Sequence, residues 1–187
     1  LASQLRSLLE GERDPIANAA NTSALLYELM PDINWAGFYF LRGGNELIVG
    51  PFQGKTACVR IPVGRGVCGT AVERGQSILV EDVHAFPGHI ACDSASESEM
   101  VVPVLKAGRL LGVLDLDSPR LARFDEDDAR GIEALDRAVA AAPGGRIVVD
   151  DPRLQMHSGD ELRAELVAGT TRDWSDVNPM RVLRGRK

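Results

Sequence analysis

Three cysteines, Cys58, Cys68 and Cys92, fall within one stretch from Gly50 to Pro103, among glycines, serines and acidic residues. Cys92 lies in HIACDSASESE (His89–Glu99), which is too polar for a core strand. Cys68 lies in GRGVCGTA (Gly64–Ala71), where a Gly-rich turn meets a helix start, and a helix N-terminus favours the reactive thiolate. Cys58, between Ala57 and Val59, also reads as an ordinary strand residue, because an unpaired cysteine behaves as a small hydrophobe. Three is an odd number and no export signal is visible, so the expectation is free thiols in a reducing cytoplasm. Any disulfide formed there is transient and catalytic.

Two other kinds of chemistry compete. His89 and Cys92 are spaced H-x-x-C, with His84, Cys68 and Cys58 as further metal ligands. Structural zinc sites use close pairs such as C-x-x-C, whereas here nine and twenty-three residues separate successive cysteines, so a metal site is disfavoured. The second is carboxylate chemistry. Asp115 and Asp117 alternate with Leu114 and Leu116, which places both acids on one face of a strand, with Leu111 and Val113. Two like charges about 7 Å apart raise one pKa if they are buried. A raised Asp can donate a proton, and the pair can hold a cation.

The elements that position these residues follow from periodicity and punctuation. Asp14-Pro15 starts a helix with apolar positions at Ile16, Ala19, Ala20, Leu26, Leu29 and Met30, ended by Pro31. Leu1–Leu9 forms a shorter helix before it. Residues 34–42 and 46–52 read as a hairpin across Gly43-Gly44, with a short strand at 57–61. Cys68–Arg74 is a helix closed by Gly75, and residues 77–81 are a strand. Asp82–Ser98 has no periodic pattern, an irregular length that usually has a functional reason. Residues 99–105 and 110–117 form a second hairpin, and Asp125 caps a helix to about Ala142. This order predicts an α+β domain, with a mostly antiparallel sheet and helices on one face. Pro143-Gly144-Gly145 marks a linker, which divides the chain into a domain over 1–142 and an extension over 143–187.

Composition narrows the functions. The 187 residues are 44% hydrophobic and carry a net charge of −6, and no apolar run is long enough for a membrane span. The acidity argues against a nucleic-acid binder. Residues 1–143 carry a net −7 and residues 144–187 a net +1, with a basic end at Arg181, Arg184, Arg186 and Lys187.

Taken together, GPFQGKTACVRIPVGRGVCGTA, VEDVHAFPGHIACDSASESEMVVPV and GVLDLDS resemble the free methionine-(R)-sulfoxide reductases, enzymes built on a GAF domain, over about residues 5–142. The resemblance implies that Cys92 attacks the sulfoxide sulfur and becomes a sulfenic acid. It implies that Cys58 resolves this as a disulfide, with Cys68 as a second resolving or relay thiol. The same resemblance implies that Trp35 and Tyr39 help wall the pocket and that Glu99, Asp115 and Asp117 contact the substrate's polar groups. It further implies no cofactor or metal, recycling by thioredoxin and NADPH, a homodimer, and a place in defence against oxidative stress.

Glu99 tests that assignment. A two-residue turn at Ala107-Gly108 pairs Leu105 with Leu110 and Glu99 with Leu116, on the face away from Asp115 and Asp117. Glu99 joins them only if it precedes the paired strand or if the hairpin carries a bulge, which Pro103 makes plausible. A GAF domain that only binds a small molecule, or that senses redox state through Cys58 and Cys92, is the competing reading, since fold alone does not give function.

Overall fold

Alternating apolar side chains in Trp35–Arg42 (β1) create two buried faces on one strand, and the rest of the molecule is layered on those faces. The structure is a computed structural model describing residues 2–106 and 108–141. The remaining elements are α1 (Ala2–Leu9), α2 (Pro15–Leu29), β2 (Glu46–Gly54), β3 (Arg60–Pro62), α3 (Gly66–Arg74), β4 (Ile78–Val80), β5 (Ser98–Lys106), β6 (Arg109–Ser118) and α4 (Glu126–Ala141). They form one six-stranded sheet, ordered β3-β2-β1-β6-β5-β4, in which every neighbouring pair is antiparallel. The proposed extension, residues 143–187, lies outside the described residues.

Local chemistry sets the ends of the elements as expected. Asp14 caps α2 by accepting from Ile16 N and Ala17 N, and Asp125 does the same for α4 through Asp127 N and Asp128 N. Gly75 closes α3 in the left-handed conformation, φ 63°.

Ala36, Phe38 and Phe40 of β1 meet Leu5, Leu9, Leu26, Ala129 and Ile132, so α1, α2 and α4 cover one face of the sheet. Each fully buried aliphatic side chain contributes about 1.5–3 kcal/mol. The expectation that helices cover one face holds for these three. The shorter α3 packs on the opposite face, where Val67, Cys68, Ala71 and Val72 meet Tyr39, Val101 and Val113.

The β5–β6 hairpin contains the decisive irregularity. Val104 pairs with Gly112 but Leu105 pairs with Leu110, so Leu111 is an extra residue in β6. This bulge returns Leu111 to the helical face with Leu114 and Leu116, not to the face of Asp115 where simple alternation placed it. It also shifts the register by one, and Glu99 pairs with Asp117. Pro103 is not at the bulge. It pairs with Val113 of β6 and lies beyond Val101, the last residue of β5 paired with β4, so only one side of β5 is laddered at the proline.

Gly112 permits the close approach of β1. A Cβ at this position would lie 2.0 Å from Tyr39 O and 2.9 Å from Phe40 Cα. Gly112→Ala is therefore expected to destabilise the protein by about 2–3 kcal/mol in urea unfolding, in the upper range for overpacking. A loss below about 0.5 kcal/mol would mean that the β1–β6 contact opens at little cost.

Candidate active site

One face of three adjacent strands carries the site. Reading across the sheet, Glu99, Asp117 and Trp35 form one row, and Val101, Asp115 and Gly37 form the next. The glycine is a requirement of packing, because a Cβ at Gly37 would meet the Trp35 ring at 2.6 Å and Phe52 Cβ at 2.3 Å. The indole therefore lies along the sheet between two rings, with centroids 5.7 Å from Tyr39 and 5.3 Å from Phe52. Trp35 Nε1 donates to Lys55 O at 3.0 Å, which ties the indole to the loop that leads to Cys58.

Above this floor is a small cavity of about 40 Å³. Seven of the eight residues singled out from the sequence line it: Trp35, Tyr39, Cys68, Cys92, Glu99, Asp115 and Asp117. The eighth, Cys58, follows the lining residues Thr56 and Ala57 and is bonded to Cys92, with Cα atoms 5.6 Å apart. Cys92 is exposed and Cys58 half-buried, so the disulfide sits at the mouth of the cavity.

Cys68 differs from the other two. It is free and buried on α3, with Sγ 3.9 Å from Glu99 Oε1. The sequence suggested a thiolate favoured by the helix start. Burial, reinforced by the charges of Asp115 and Glu99, instead pushes this thiol's pKa well up and keeps it protonated.

The carboxylates are perturbed in the same direction. Burial is the main cause for all three. It raises Asp115 to about 7, and lifts Glu99 and Asp117 well above the usual range, with the Asp115 charge adding to both. Asp115 Oδ1 is buried without a hydrogen-bond partner. The cavity thus holds neutral carboxyls that can donate a proton and carboxylate oxygens that lack a cation.

The sequence offered His89 only as a ligand of a disfavoured metal site, but it lines the cavity with Nε2 3.9 Å from Glu99 Oε2. Burial lowers its pKa, with a smaller contribution from His84. The H-x-x-C spacing was the available signal for His89. A clamp between the two cysteine loops was missed altogether. Asp93, next to Cys92, bonds to Lys55 Nζ at 3.1 Å and to Asn34 Nδ2 at 3.3 Å, while Asn34 also reaches Ser96 Oγ at 3.1 Å. These three hydrogen bonds join partners far apart in the chain, which no local pattern reveals.

An antiparallel sheet of this order, with three helices on one face and a cavity beside α3 on the other, is that of a GAF domain, and residues 22–165 match that family. A free methionine-R-sulfoxide reductase of Escherichia coli is 58% identical over 129 residues, covering 69% of this chain and 78% of that protein. One from Saccharomyces cerevisiae is 43% identical, covering 71% and 77%. The structure of a free methionine-R-sulfoxide reductase from Neisseria meningitidis in complex with its substrate aligns with a TM-score of 0.72 at 48% identity, covering 74% of this chain and 83% of that one. The chain belongs to the free methionine-R-sulfoxide reductase family of GAF domains.

Proposed function

We propose that this protein reduces free L-methionine-(R)-sulfoxide to methionine, with electrons from its own thiols. The observation that carries the reading is the Cys58–Cys92 bond at the mouth of a cavity lined by Trp35, Tyr39 and three buried or half-buried acids. In the reduced protein, Cys92 Sγ attacks the sulfoxide sulfur. The sulfoxide oxygen passes to Cys92, which becomes a sulfenic acid, and methionine leaves as the reduced product. Cys58 Sγ then displaces that oxygen as water and forms the disulfide. An external dithiol of the thioredoxin type, supplied by NADPH, reduces the disulfide and is itself oxidised. The balance closes on sulfur alone, so this cycle needs neither metal nor cofactor.

The acids account for selection of the free amino acid. A free sulfoxide carries an ammonium and a carboxylate that a peptide-bound one lacks. An ionised carboxylate at the Glu99–Asp115–Asp117 floor holds the ammonium, and a neutral carboxyl there donates to the sulfoxide oxygen. A peptide-bound substrate leaves the carboxylate that holds the ammonium unpaired, a penalty that can reach about 10⁴-fold. The methyl against Trp35 adds only about 0.8 kcal/mol. Cys68 enters as a second resolving thiol, although its raised pKa works against attack as a thiolate. A thiol cycle of this kind belongs in a reducing compartment such as the cytoplasm, and no described helix is long and apolar enough to cross a membrane.

The test is thioredoxin-coupled NADPH oxidation with the free R epimer, the free S epimer and a peptide-bound sulfoxide in parallel. Turnover of the free R epimer alone supports the reading. No turnover of any substrate by folded, reduced protein would leave a binding or sensing role. Cys58→Ser separates the half-reactions, and about one methionine per site is expected in a burst, followed by thioredoxin-coupled turnover slowed by about 100-fold or more. An unchanged coupled rate would show that Cys58 is not the main resolving thiol.

A further inference from the structure

Resolution by Cys58 leaves Cys68 without an essential task, yet Cys68 is the thiol placed against the carboxylates. One ligand atom from each of Cys68, Glu99 and Asp115 lies within 4.8 Å of the other two, and all three residues are buried. Two further observations point to a cation. Asp115 Oδ1 has no hydrogen-bond partner although Asp115 is only 6% exposed. No Lys or Arg lines the cavity among the described residues, and Lys55 is paired with Asp93, so Glu99, Asp115 and Asp117 have no Lys or Arg counterion there.

The donor set separates a metal from an ammonium group. An ammonium only donates hydrogen bonds, and two carboxylates satisfy it. A thiolate adds little to an ammonium but is a strong ligand for a soft divalent ion. Zinc binds thiolate at about 2.3 Å and carboxylate oxygen at about 2.0–2.2 Å, which sets ligand atoms roughly 3.3–3.7 Å apart in a tetrahedron. Side-chain rotations that close the set by about 1 Å reach that spacing. His89 stands on the other oxygen of Glu99, at 3.9 Å, leaving the fourth position to its imidazole or to water.

We infer that Cys68, Glu99 and Asp115 form an inhibitory site for a thiophilic divalent cation of the zinc type. The ion displaces the Cys68 thiol proton and any carboxyl proton into the solvent as it binds. Binding of the ion rests on these residues alone, while its competition with the substrate ammonium rests on the substrate reading above.

The test uses the full chain with both Cys58→Ser and Cys92→Ser, which leaves Cys68 as the one thiol in the sequence. The protein is titrated with Co²⁺ under a non-thiol reductant. The expected result is a near-ultraviolet thiolate-to-cobalt charge-transfer band that saturates at one equivalent and is displaced by Zn²⁺. Adding Cys68→Ser removes the band, and Asp115→Asn, with the thiol still present, weakens binding by about tenfold or more. No band, a band that survives loss of Cys68, or binding unaffected by Asp115→Asn overturns the site. In the reduced wild type, Zn²⁺ is expected to raise KM for the free sulfoxide with kcat unchanged. If the protein turns over no sulfoxide at all, the substrate reading fails while the cobalt titration still decides the metal site. A kcat effect with KM unchanged overturns the competition.

Discussion

Cys92→Ser is expected to lower the reduction of free methionine-(R)-sulfoxide by at least about 10³-fold while leaving the fold intact. The expectation follows from placement and from sulfur chemistry. Cys92 is exposed on the irregular segment beside the cavity, so its replacement removes no core packing. A serine hydroxyl has no anion of useful concentration near neutral pH, and it cannot take up the sulfoxide oxygen as a sulfenic acid. Loss of the Cys58 partner costs some stability, since that bond closes a loop across a sequence separation of 34 residues in the oxidised protein only. The reduced forms of wild type and variant are therefore the pair to compare, by circular dichroism and by methionine release. In Cys58→Ser protein, the same assignment predicts a sulfenic acid on Cys92 after one exposure to substrate, detectable as a dimedone adduct by mass spectrometry. Retained turnover within tenfold, or an adduct on Cys68, would move the nucleophile away from Cys92.

Most of the secondary structure was legible because its signals are local. Asp14-Pro15, Gly43-Gly44, Gly75 and Asp125 each mark an end by a conformation or a hydrogen bond that involves only neighbours. Alternation along β1 is a local signal of the same kind, and it sets Ala36, Phe38 and Phe40 on one face and Trp35 and Tyr39 on the other. What could not be read was register. Leu111 carries no mark of a bulge, and without the bulge Glu99 faces away from the acids it joins. The Gly112 contact with Tyr39 O that accompanies this register depends on a strand more than 70 positions away in the sequence. The placement of α3 on the far side of the sheet escaped for a related reason. Its apolar residues show that it packs, not on which face, and the strands it meets fix that. The same limit explains the misjudged ionisation of Cys68. A helix start is visible in the sequence, but the buried Glu99 and Asp115 beside the thiol are supplied by two other strands.

Asp115→Asn is expected to damage activity and, at neutral pH and above, to stabilise the ligand-free protein. The folded-state pKa of Asp115 is raised from 3.8 to about 7, chiefly by burial, with hydrogen bonds from Cys68, Glu99 and the Leu116 backbone acting against the rise. A group raised in this way binds its proton more tightly folded than unfolded. Its contribution to stability is full below the unfolded pKa and is lost as pH climbs through the window from about 4 to about 7. The loss amounts to up to about 4 kcal/mol at full ionisation. Glu99 and Asp117 are raised in the same sense, so ligand-free wild type should melt at progressively lower temperature from pH 5 to pH 8. Asparagine is neutral throughout, so the variant's melting curve should be flatter over that range. The cost appears in function. One charge-assisted hydrogen bond to the substrate is worth about 1.5–3 kcal/mol, and its removal should lower kcat/KM by about 10²-fold. The two measurements check each other, because a merely structural Asp115 would change stability without a loss specific to the free amino acid. An unaltered pH dependence of melting would show that the carboxyl is not held in its neutral form. A kcat/KM within threefold of wild type would show that Asp115 does not hold the substrate.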